Sequence, residues 1–385
     1  MWWPQVIENT SILQNPISDF DQNMIETASN DSLGNTSAEA NATHCTIGGR
    51  HNYIFLMIPI IYTVIFVVGV VGNSMVVIII YCYLKLTTVA NIFLLNLALA
   101  DLIFVMTLPF WATYTAMEYH WMFGNLLCKT SATVVLLNMN ASVFLLTCLS
   151  VDRYLAIVYP MRSRCRRTLL HARAACIAIW LLAAIASLPA TFFRNTSHYH
   201  SWNRTICAFD YPERYQTQWI FVMALLKTLL GFLIPLLIIL ICYSLIIRSL
   251  VQTYQVRRSK PSSKEVFKLI VAVVVSFILC WLPFQVLTFL DMLSRLQIIK
   301  NCRLAEIIDT SIPFTICIAY FNSCLNPILY SLVGRNFREK LFLFLRCRRP
   351  KLKHHTSLST KQSSLSYRVI DPSRKQMDTT RRVSP

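Results

Sequence analysis

Long apolar stretches recur along this chain, and short polar segments that carry most of its charge separate them. Each stretch is longer than the roughly 20 residues that a helix needs to cross the hydrocarbon core of a bilayer. We therefore predict an all-α protein, a seven-transmembrane helix bundle. The seven stretches lie near Phe55–Tyr83, Val89–Met117, Asn125–Val158, Leu169–Phe193, Gln216–Ile247, Val266–Leu293 and Ile307–Val333.

The composition is that of a membrane protein. Apolar residues make up 55% of the 385 residues and charged residues only 14%, and the mean hydropathy is +0.50. A soluble domain carries about 25% charged residues and does not concentrate its apolar residues in such runs. Six of the stretches contain proline, which membrane bundles tolerate because neighbouring groups satisfy the freed carbonyls. These prolines are Pro59, Pro109, Pro189, Pro235, Pro283, Pro313 and Pro327.

The distribution of charge predicts which side of the membrane each segment faces. The net charge is +18, yet the first 49 residues contain six acidic residues and no Lys or Arg. Basic residues collect in Arg162–Arg173, in Arg248–Lys268 and after the seventh stretch. These three segments share one side, which the positive-inside rule makes cytoplasmic. We expect a multi-pass plasma-membrane protein with an extracellular N-terminus, whose basic charge meets membrane lipid or a partner rather than nucleic acid.

Glycosylation sequons agree with that orientation. Six N-x-[ST] patterns fall in segments that we predict to be outside, whereas a seventh, at Asn140, lies within a span and is out of reach for glycosylation. The N-terminus lacks a basic region followed by a long apolar one, so we expect no cleaved signal peptide. The predicted glycosylation sites are Asn9, Asn30, Asn35, Asn41, Asn195 and Asn203.

The thirteen cysteines are scattered along the chain, and their spacing fits neither a disulfide scaffold nor a zinc site. Four of them lie at predicted outside positions. We expect Cys128 to pair with Cys207, joining the third span to the second outer loop. We expect Cys45 to pair with Cys302, joining the N-terminal tail to the third outer loop. The sequence leaves the alternative pairings open.

Polar side chains inside the spans need protein partners or a function, because lipid penalises them. The second span contains one carboxylate, Asp101, in NLALAD. Neutral oxygens around a buried carboxylate form a candidate site for a monovalent cation such as Na⁺, and the alternative is a water-filled polar network that holds the helices in register. The predicted members besides Asp101 are Asn138, Ser142, Asn322 and Asn326.

Three motifs occupy particular places in the spans. SVDRYLAIVYP, with Asp152 and Arg153, lies at the inner end of the third span, CWLP lies in the sixth, and NSCLNPILY lies in the seventh. Asp152 and Arg153 alone are typical of an ordinary interfacial anchor, but the three motifs together are highly specific. The chain resembles the rhodopsin-like G-protein-coupled receptors along essentially all seven spans.

Within that family the chain is most similar to the angiotensin II receptors, and it favours type 1 over type 2. It departs from type 1 at Phe284, where those receptors have His, at Ser323, where they have Asn, and at Asn140, where they have Tyr. PERYQTQW and VGRNFREKL resemble type 2. The segments that carry the resemblance are RHNYIFLMIP, NLALADLIFVMTLPFWATYTAMEYHWMFG, NASVFLLTCLSVDRYLAIVYPMRSR, ASLPA, LGFLIPLLIIL, VLTFLDML, CIAYFNSCLNP and SLSTKQSSLSYR.

The resemblance implies a ligand, the octapeptide angiotensin II, which begins Asp-Arg and ends in Phe with a free carboxylate. Lys227 and Arg194 then bind that carboxylate, and Asp291 and Asp309 meet the arginine. A charge at the centre of a membrane helix costs roughly 2.5–3.5 kcal/mol, so Lys227 needs a reason to be there. The alternatives are a snorkelling Lys227 and a solvated Arg194. The predicted pocket lining, any member of which is also compatible with plain core, is Tyr62, Trp111, Tyr114, Thr115, Phe284, Gln285, Ile316 and Tyr320.

The resemblance also implies a signalling mechanism. Ligand binding shifts the population between two packings of the bundle and opens a cytoplasmic cleft for a heterotrimeric G protein of the Gq family. Receptor kinases and arrestin then act on a Ser/Thr-rich tail. The predicted activation switch comprises Asp152, Arg153, Tyr154, Tyr243, Trp281, Pro283 and Tyr330.

The chain divides into four predicted parts. An extracellular glycosylated tail (1–49) precedes the receptor domain (50–333). An amphipathic interfacial helix (334–347) follows and lies on the inner leaflet, because apolar residues recur there at helical spacing among basic ones. Cys347 is a candidate for palmitoylation, with a free thiol as the alternative. A disordered cytoplasmic tail (348–385) ends the chain.

Other classes of protein fit less well. A transporter of small molecules is predicted to contain paired half-helices or internal repeats, and the sequence shows neither. Enzyme motifs such as HExxH, GxSxG and Walker A are absent, so we expect no enzyme. The nearest alternative is a receptor for another small peptide, such as a type 2-like angiotensin, kinin or chemokine receptor.

Overall fold

The computed structural model describes residues 52–163, 168–200, 203–254, 261–295, 298–299, 301–333 and 335–346. Within these ranges, seven helical segments are long and apolar enough to cross a membrane, and they confirm the predicted seven-helix bundle. In chain order they are Asn52–Leu84, Val89–Ala116, Gly124–Val158, Leu169–Phe193, Glu213–Ser249, Val271–Ser294 and Cys302–Leu332.

Breaks divide some of these spans, so the helices outnumber them. The second span comprises two helices, and the fifth comprises two helices joined by a π-helical turn. The elements are α1 (Asn52–Ile79), α2 (Val89–Val105), α3 (Leu108–Ala116), α4 (Gly124–Val158), α5 (Pro160–Ser163), α6 (Leu169–Phe193), β1 (Arg194–Tyr199), β2 (Arg204–Phe209), α7 (Gln216–Thr228), α8 (Ile234–Tyr254), α9 (Pro261–Arg295), α10 (Cys302–Val333) and α11 (Arg335–Leu345).

The third span, α4, is at the centre of the bundle. In its most apolar window 67% of the residues are buried by protein, against 28% in the first and fourth spans. It packs against the second, fourth, fifth and sixth spans, and the seventh span packs against the first and the sixth. Asn138 and Ser142 on α4 are therefore buried in protein rather than exposed to lipid.

Glycine brings the first span close to the second and the seventh. A Cβ atom on Gly69 would lie 2.7 Å from Cγ1 of Val105, and one on Gly72 would lie 3.0 Å from Pro327. Small residues allow membrane helices to approach in this way. The close approach lets Asn73 of α1 donate a hydrogen bond of 2.9 Å to the carbonyl of Ser323 on α10.

A proline accounts for the break in the second span. Pro109 lies in the first turn of α3, where the missing N–H is tolerated, whereas inside a continuous helix its ring would clash. The hydroxyl of Thr107 donates to the carbonyl of Phe104 at 2.8 Å, which satisfies a backbone group near the break. Three predicted pocket residues on the short helix α3 are buried, namely Trp111, Tyr114 and Thr115.

The fifth span widens just below Lys227. Residues Leu229–Leu233 form a π-helical turn between α7 and α8. Such a turn inserts one extra residue and rotates the helix before it relative to the helix after it. Gly231 in this turn is buried, and a Cβ atom on it would lie 2.9 Å from Cε of Met139 on α4. The turn therefore sets the direction in which Lys227, in the last turn of α7, points.

The loop after the fourth span, which we predict to face outside, forms a β-hairpin, and we did not predict that structure. Strands β1 and β2 are antiparallel, and Arg194 lies opposite Phe209. Cys207 on β2 is disulfide-bonded to Cys128 near the start of α4, which confirms that predicted pair. The disulfide fixes the hairpin to the central helix of the bundle.

The segment between the second and third spans also contacts the hairpin, through a hydrogen bond and an ion pair. The backbone N–H of Trp121, which is only 1% exposed, donates to the carbonyl of Thr205 at 2.7 Å. Arg204 forms an ion pair with Glu118 and also donates to the Glu118 carbonyl. The hairpin is thus tied both to the third span and to the loop between the second and third spans.

The predicted amphipathic helix is present as α11. Phe337 packs edge-on against Tyr330 of the seventh span, with ring centroids 5.9 Å apart. Phe344 packs in the same way against Tyr83 at the end of the first span, at 6.2 Å. These two contacts hold α11 against the C-terminal end of the seventh span and the end of the first, which we predict to be cytoplasmic.

Several predictions concern residues that the structure does not describe. The two tails, 1–49 and 348–385, lie outside the described residues, and so do Cys45 and Cys347. Cys302 is disulfide-bonded, but its pairing with Cys45 stays a prediction. Asn9, Asn30, Asn35 and Asn41 also lie outside, whereas Asn195 is on β1 and Asn203 is in the hairpin turn.

Candidate functional site

Two cations meet one aromatic ring at the outer end of the bundle. The guanidinium carbon of Arg194 lies 4.7 Å from the ring centroid of Phe209, and Nζ of Lys227 lies 5.2 Å from the same centroid. Arg194 is 0% exposed and Lys227 is 9% exposed. The negative face of an aromatic ring attracts cations, and burial strengthens that attraction. The two cations that we predicted to act together therefore share a neighbour, Phe209, that we had not predicted.

Arg194 is held by the backbone of the opposite strand. It is the first residue of β1, directly after α6 ends at Phe193. Its Nη2 donates to the carbonyl oxygen of Cys207 at 2.7 Å, and its Nε donates to the sulfur of the same residue at 3.4 Å. The guanidinium also lies 5.8 Å from the ring of Trp111. The solvated-loop alternative for Arg194 is wrong, because strand pairing buries its side chain.

Lys227 points into the bundle. Snorkelling would carry its ammonium along the apolar stem to the membrane surface. The ammonium lies over Phe209 instead, and the residue is buried on α7. Because Arg194 and Lys227 carry like charges, they repel each other. An anion that contacts both of them would relieve this repulsion.

Two small cavities lie among the aromatic residues of the bundle, with about 400 and about 320 Å³ of empty volume. They share Ile316 and Tyr320. The first is lined by Ile58, Tyr62, Trp111, Tyr114, Thr115, Tyr119, Pro313, Ile316 and Tyr320. The second is lined by Val135, Leu136, Met139, Trp281, Phe284, Ile316, Ala319 and Tyr320.

Seven of the eight predicted lining residues therefore border a cavity, and the exception is Gln285. Gln285 is buried on α9, and Asp291 is half-buried on the same helix. Asp309 is 7% exposed on α10, one turn before Pro313, which lines the first cavity. None of these three side chains lines either of the two cavities.

The Asp101 carboxylate is fully buried and accepts hydrogen bonds from two other spans. Asn138 donates to Oδ1 at 3.1 Å and Ser323 donates to the same oxygen at 2.8 Å. Asn326 donates to Oδ2 at 2.9 Å. Asn138 also donates to the hydroxyl oxygen of Ser142 at 3.3 Å. The structure thus brings together Asp101, Asn138, Ser142 and Asn326 as predicted.

Ser323, one of the polar residues of NSCLNPILY, also belongs to this network, since its hydroxyl donates to Oδ1 of Asp101. Asn322 is buried, but its side-chain oxygen makes no hydrogen bond within the described part of the chain, and neither does the side-chain oxygen of Asn326. The oxygen of Asn326, whose amide nitrogen donates to Asp101, therefore remains available next to the carboxylate for another donor or a cation.

The predicted switch residues lie in two layers. Asp152 and Arg153 form an ion pair of 2.8 Å at the inner end of α4. Tyr154 packs edge-on against Tyr159 at 5.8 Å. Tyr243 and Tyr330 are buried on the fifth and seventh spans. These groups lie towards the predicted cytoplasmic end of the bundle.

The second layer lies on the sixth span around Pro283. Trp281 lies 6.1 Å from Phe277 and 6.1 Å from Phe284, with ring contacts on both sides. Trp281 and Phe284 also line the second cavity. A ligand group in that cavity would contact the residues next to the proline directly.

The comparisons with known proteins agree with this architecture. Residues 72–330 match the model of the seven-transmembrane receptor (rhodopsin family). The chain belongs to the rhodopsin family of seven-transmembrane receptors. This receptor is 56% identical to the type-1 angiotensin II receptors of Pan troglodytes and Homo sapiens over 327 residues, which are 85% of this chain and 91% of each relative. It is 55% identical to the type-1 angiotensin II receptor A of Mus musculus over the same coverage.

These findings confirm the resemblance that the motifs indicated. The receptor is a multi-pass membrane protein and is not an enzyme. The identity extends over far more of the chain than the motifs do, so the outer pocket residues lie within the matched length as well.

Replacing Ser323 with alanine tests the energetic role of the Asp101 network. The change leaves Oδ1 of Asp101 with one donor fewer, and a lost partner for a buried charged group costs about 1–3 kcal/mol. We expect the melting temperature of the purified receptor to fall.

Ser331 provides the matched control, because it lies on the same helix and donates to the carbonyl of Ile328 at 2.7 Å. We expect Ser331→Ala to melt close to the parent. Equal losses in the two variants would contradict a special role for Ser323.

Proposed function

We propose that this receptor binds angiotensin II at its outer face and activates a heterotrimeric G protein. The observation that carries the proposal is the buried pair of cations, Arg194 and Lys227, over Phe209. The relatives at 55–56% identity are named type-1 angiotensin II receptors, and this supports the identity of the ligand.

The C-terminal carboxylate of the peptide is the proposed partner of the cation pair. Hydrogen bonds between charged groups are shorter and about twice as strong as neutral ones. A guanidinium can bind a carboxylate with two parallel bonds, while an ammonium contributes a compact charge. A single carboxylate between Arg194 and Lys227 would also offset their mutual repulsion, which a neutral group could not do.

Asp291 and Asp309 are the proposed partners of the arginine at the second position of the peptide. They lie near the outer ends of α9 and α10, the sixth and seventh spans. Of the two cations, Lys227 lies on α7 in the fifth span, and Arg194 lies on strand β1 of the hairpin. A site with cations on one side and acids on the other matches a ligand that carries both charges and gives it one orientation.

The two cavities are proposed to take side chains rather than the whole peptide. The first cavity is bordered by Tyr62, Trp111 and Tyr320, and the second reaches Trp281. A peptide side chain in the second cavity would therefore act on the ring beside Pro283.

Signalling is proposed to follow a shift between two packings of the bundle. The ion pair between Asp152 and Arg153 belongs to the closed packing, and its release would expose a cleft bordered by Tyr243 and Tyr330. The similarity to type-1 receptors supports a G protein of the Gq family. Receptor kinases and arrestin are the proposed partners of the Ser/Thr-rich tail, which lies outside the described residues.

The Asp101 network is also proposed to bind a sodium ion. Cations of this kind prefer oxygen ligands, and the network offers the Asp101 carboxylate with the hydroxyl oxygens of Ser142 and Ser323. The side-chain oxygens of Asn322 and Asn326 are buried and not hydrogen-bonded within the described residues. These residues therefore fit the ion, whose positive charge would keep the carboxylate ionised.

The first test of this function is the Lys227→Gln variant. In the parent receptor we expect saturable binding of angiotensin II and calcium release in transfected cells. Lys227→Gln removes one charge-assisted contact and should weaken binding by roughly 10- to 100-fold. Radioligand binding to membranes measures the loss.

Two controls sharpen this test. Lys227→Arg keeps the charge and should retain much of the affinity. The parent should bind an angiotensin II analogue with a C-terminal amide more weakly than angiotensin II itself. In the Lys227→Gln variant, replacing the acid by the amide should cost little further affinity. Full affinity in Lys227→Gln would refute the carboxylate contact, and absence of any binding by the parent would refute the ligand.

The acidic side of the site is tested with Asp309→Asn. We expect this variant to bind angiotensin II about tenfold more weakly, because a buried charge pair with the ligand's arginine is lost. The matched control is Glu306→Gln, since Glu306 lies one turn away on α10 and is exposed. An analogue with a neutral residue at position two should bind Asp309→Asn and the parent equally. A further loss with that analogue would contradict the pairing.

The sodium proposal predicts an ion-specific effect on ligand binding. Angiotensin II affinity in sodium chloride and in choline chloride of equal ionic strength should differ by about a few-fold in the parent. Asp101→Asn should abolish the difference, because the carboxylate that binds the ion is gone. Identical affinities of the parent in the two salts would refute the proposal.

A further inference from the structure

Phe209 combines burial with an unusual pair of neighbours. It is the last residue of β2, it is 4% exposed, and it lies opposite Arg194 in the hairpin register. Both Arg194 and Lys227 lie over its ring, at 4.7 and 5.2 Å from the centroid. Among the described residues no other ring carries two cations.

A row of aromatic side chains fixes the position of this ring. Phe209 is stacked on Tyr211 with centroids 5.6 Å apart and planes only 5° from parallel. Tyr211 contacts Phe193 at 5.2 Å, and Phe193 contacts Trp219 at 4.8 Å. Phe193 ends α6 and Trp219 lies in the first turns of α7. The ring of Phe209 is thus anchored to the end of α6, directly before Arg194, and to α7, which carries Lys227.

The ring counteracts the repulsion between the two cations. Like charges in an environment of low dielectric constant repel strongly, and two long side chains would lower their energy by moving apart. The face of an aromatic ring carries partial negative charge and attracts each of them. The ring attracts both cations without carrying a full negative charge of its own.

We propose that Phe209 is the positioning residue for the ligand's carboxylate. Its ring keeps the guanidinium of Arg194 and the ammonium of Lys227 side by side, so that one carboxylate meets both charges at once. The inference rests on the proposed function for its ligand. Without the ring both cations remain, but they are no longer held at the spacing that a single carboxylate needs.

The test reduces the negative charge on the face of the Phe209 ring while leaving the shape of the side chain nearly unchanged. Phenylalanine analogues with one, two and three ring fluorines replace Phe209 in the full-length receptor by nonsense suppression, because fluorine withdraws charge from the ring face. We expect the affinity for angiotensin II to fall stepwise, to a total of roughly tenfold. The affinity for the C-terminal amide of the same peptide should change far less, since that group is neutral.

Phe193 is the matched control for fluorination. It belongs to the same aromatic row, yet no cation lies over its ring within the described part of the chain. Fluorination of Phe193 should leave both affinities unchanged. Conventional substitutions give independent evidence. Phe209→Tyr keeps an aromatic face and should retain the affinity for angiotensin II, whereas Phe209→Leu should bind angiotensin II, the peptide with the free C-terminal carboxylate, more weakly. A flat fluorine series at Phe209, or equal losses for acid and amide, would overturn the proposal.

A second measurement separates this inference from the proposed function. If the parent binds neither peptide, the proposed ligand is wrong, and the role of the ring is then read from the ligand-free receptor. The melting temperature of the purified protein should fall stepwise with fluorination of Phe209, and this slope should shrink in the Lys227→Gln background. Equal slopes in both backgrounds would show that Phe209 does not act through Lys227.

Discussion

Asp101 is fully buried between the second, third and seventh spans, and hydrogen bonds from Asn138, Ser323 and Asn326 compensate its charge. Lipid offers no partner to a charge, so each buried charge must find its partners within the protein. This requirement determines which spans must approach one another. The glycine contacts of the first span serve it indirectly, because they place Asn73 against the backbone of Ser323.

The buried cations Arg194 and Lys227 also need partners within the protein, and they find one of a different kind. Asp101 is surrounded by neutral donors from several helices, and such a network is stable as it is. Arg194 and Lys227 share an aromatic ring, and their like charges still repel. The Asp101 network is held by neutral donors, whereas the cation pair is held partly by an aromatic ring.

Hydropathy and charge were enough to predict the seven spans, and Asp101, Asn138 and Asn326 were grouped correctly because lipid excludes such side chains from other positions. The hairpin escaped prediction because its strands are six residues long and lie in a polar loop without clear alternation. The burial of Arg194 follows from that strand pairing, so it too was out of reach. The role of Phe209 could not be predicted because Arg194 and Lys227, which lie over its ring, are distant from each other in the sequence.

Because of the disulfide between Cys128 and Cys207, the helical spans and the hairpin need different conditions to form. The helices form wherever a bilayer accepts apolar segments, whereas the hairpin also depends on an oxidising compartment. A chain produced under reducing conditions can therefore insert with its spans intact and still lack the strand that carries Phe209 in its proper place. Insertion of the spans and formation of the disulfide that anchors the hairpin are therefore separate requirements for folding this chain.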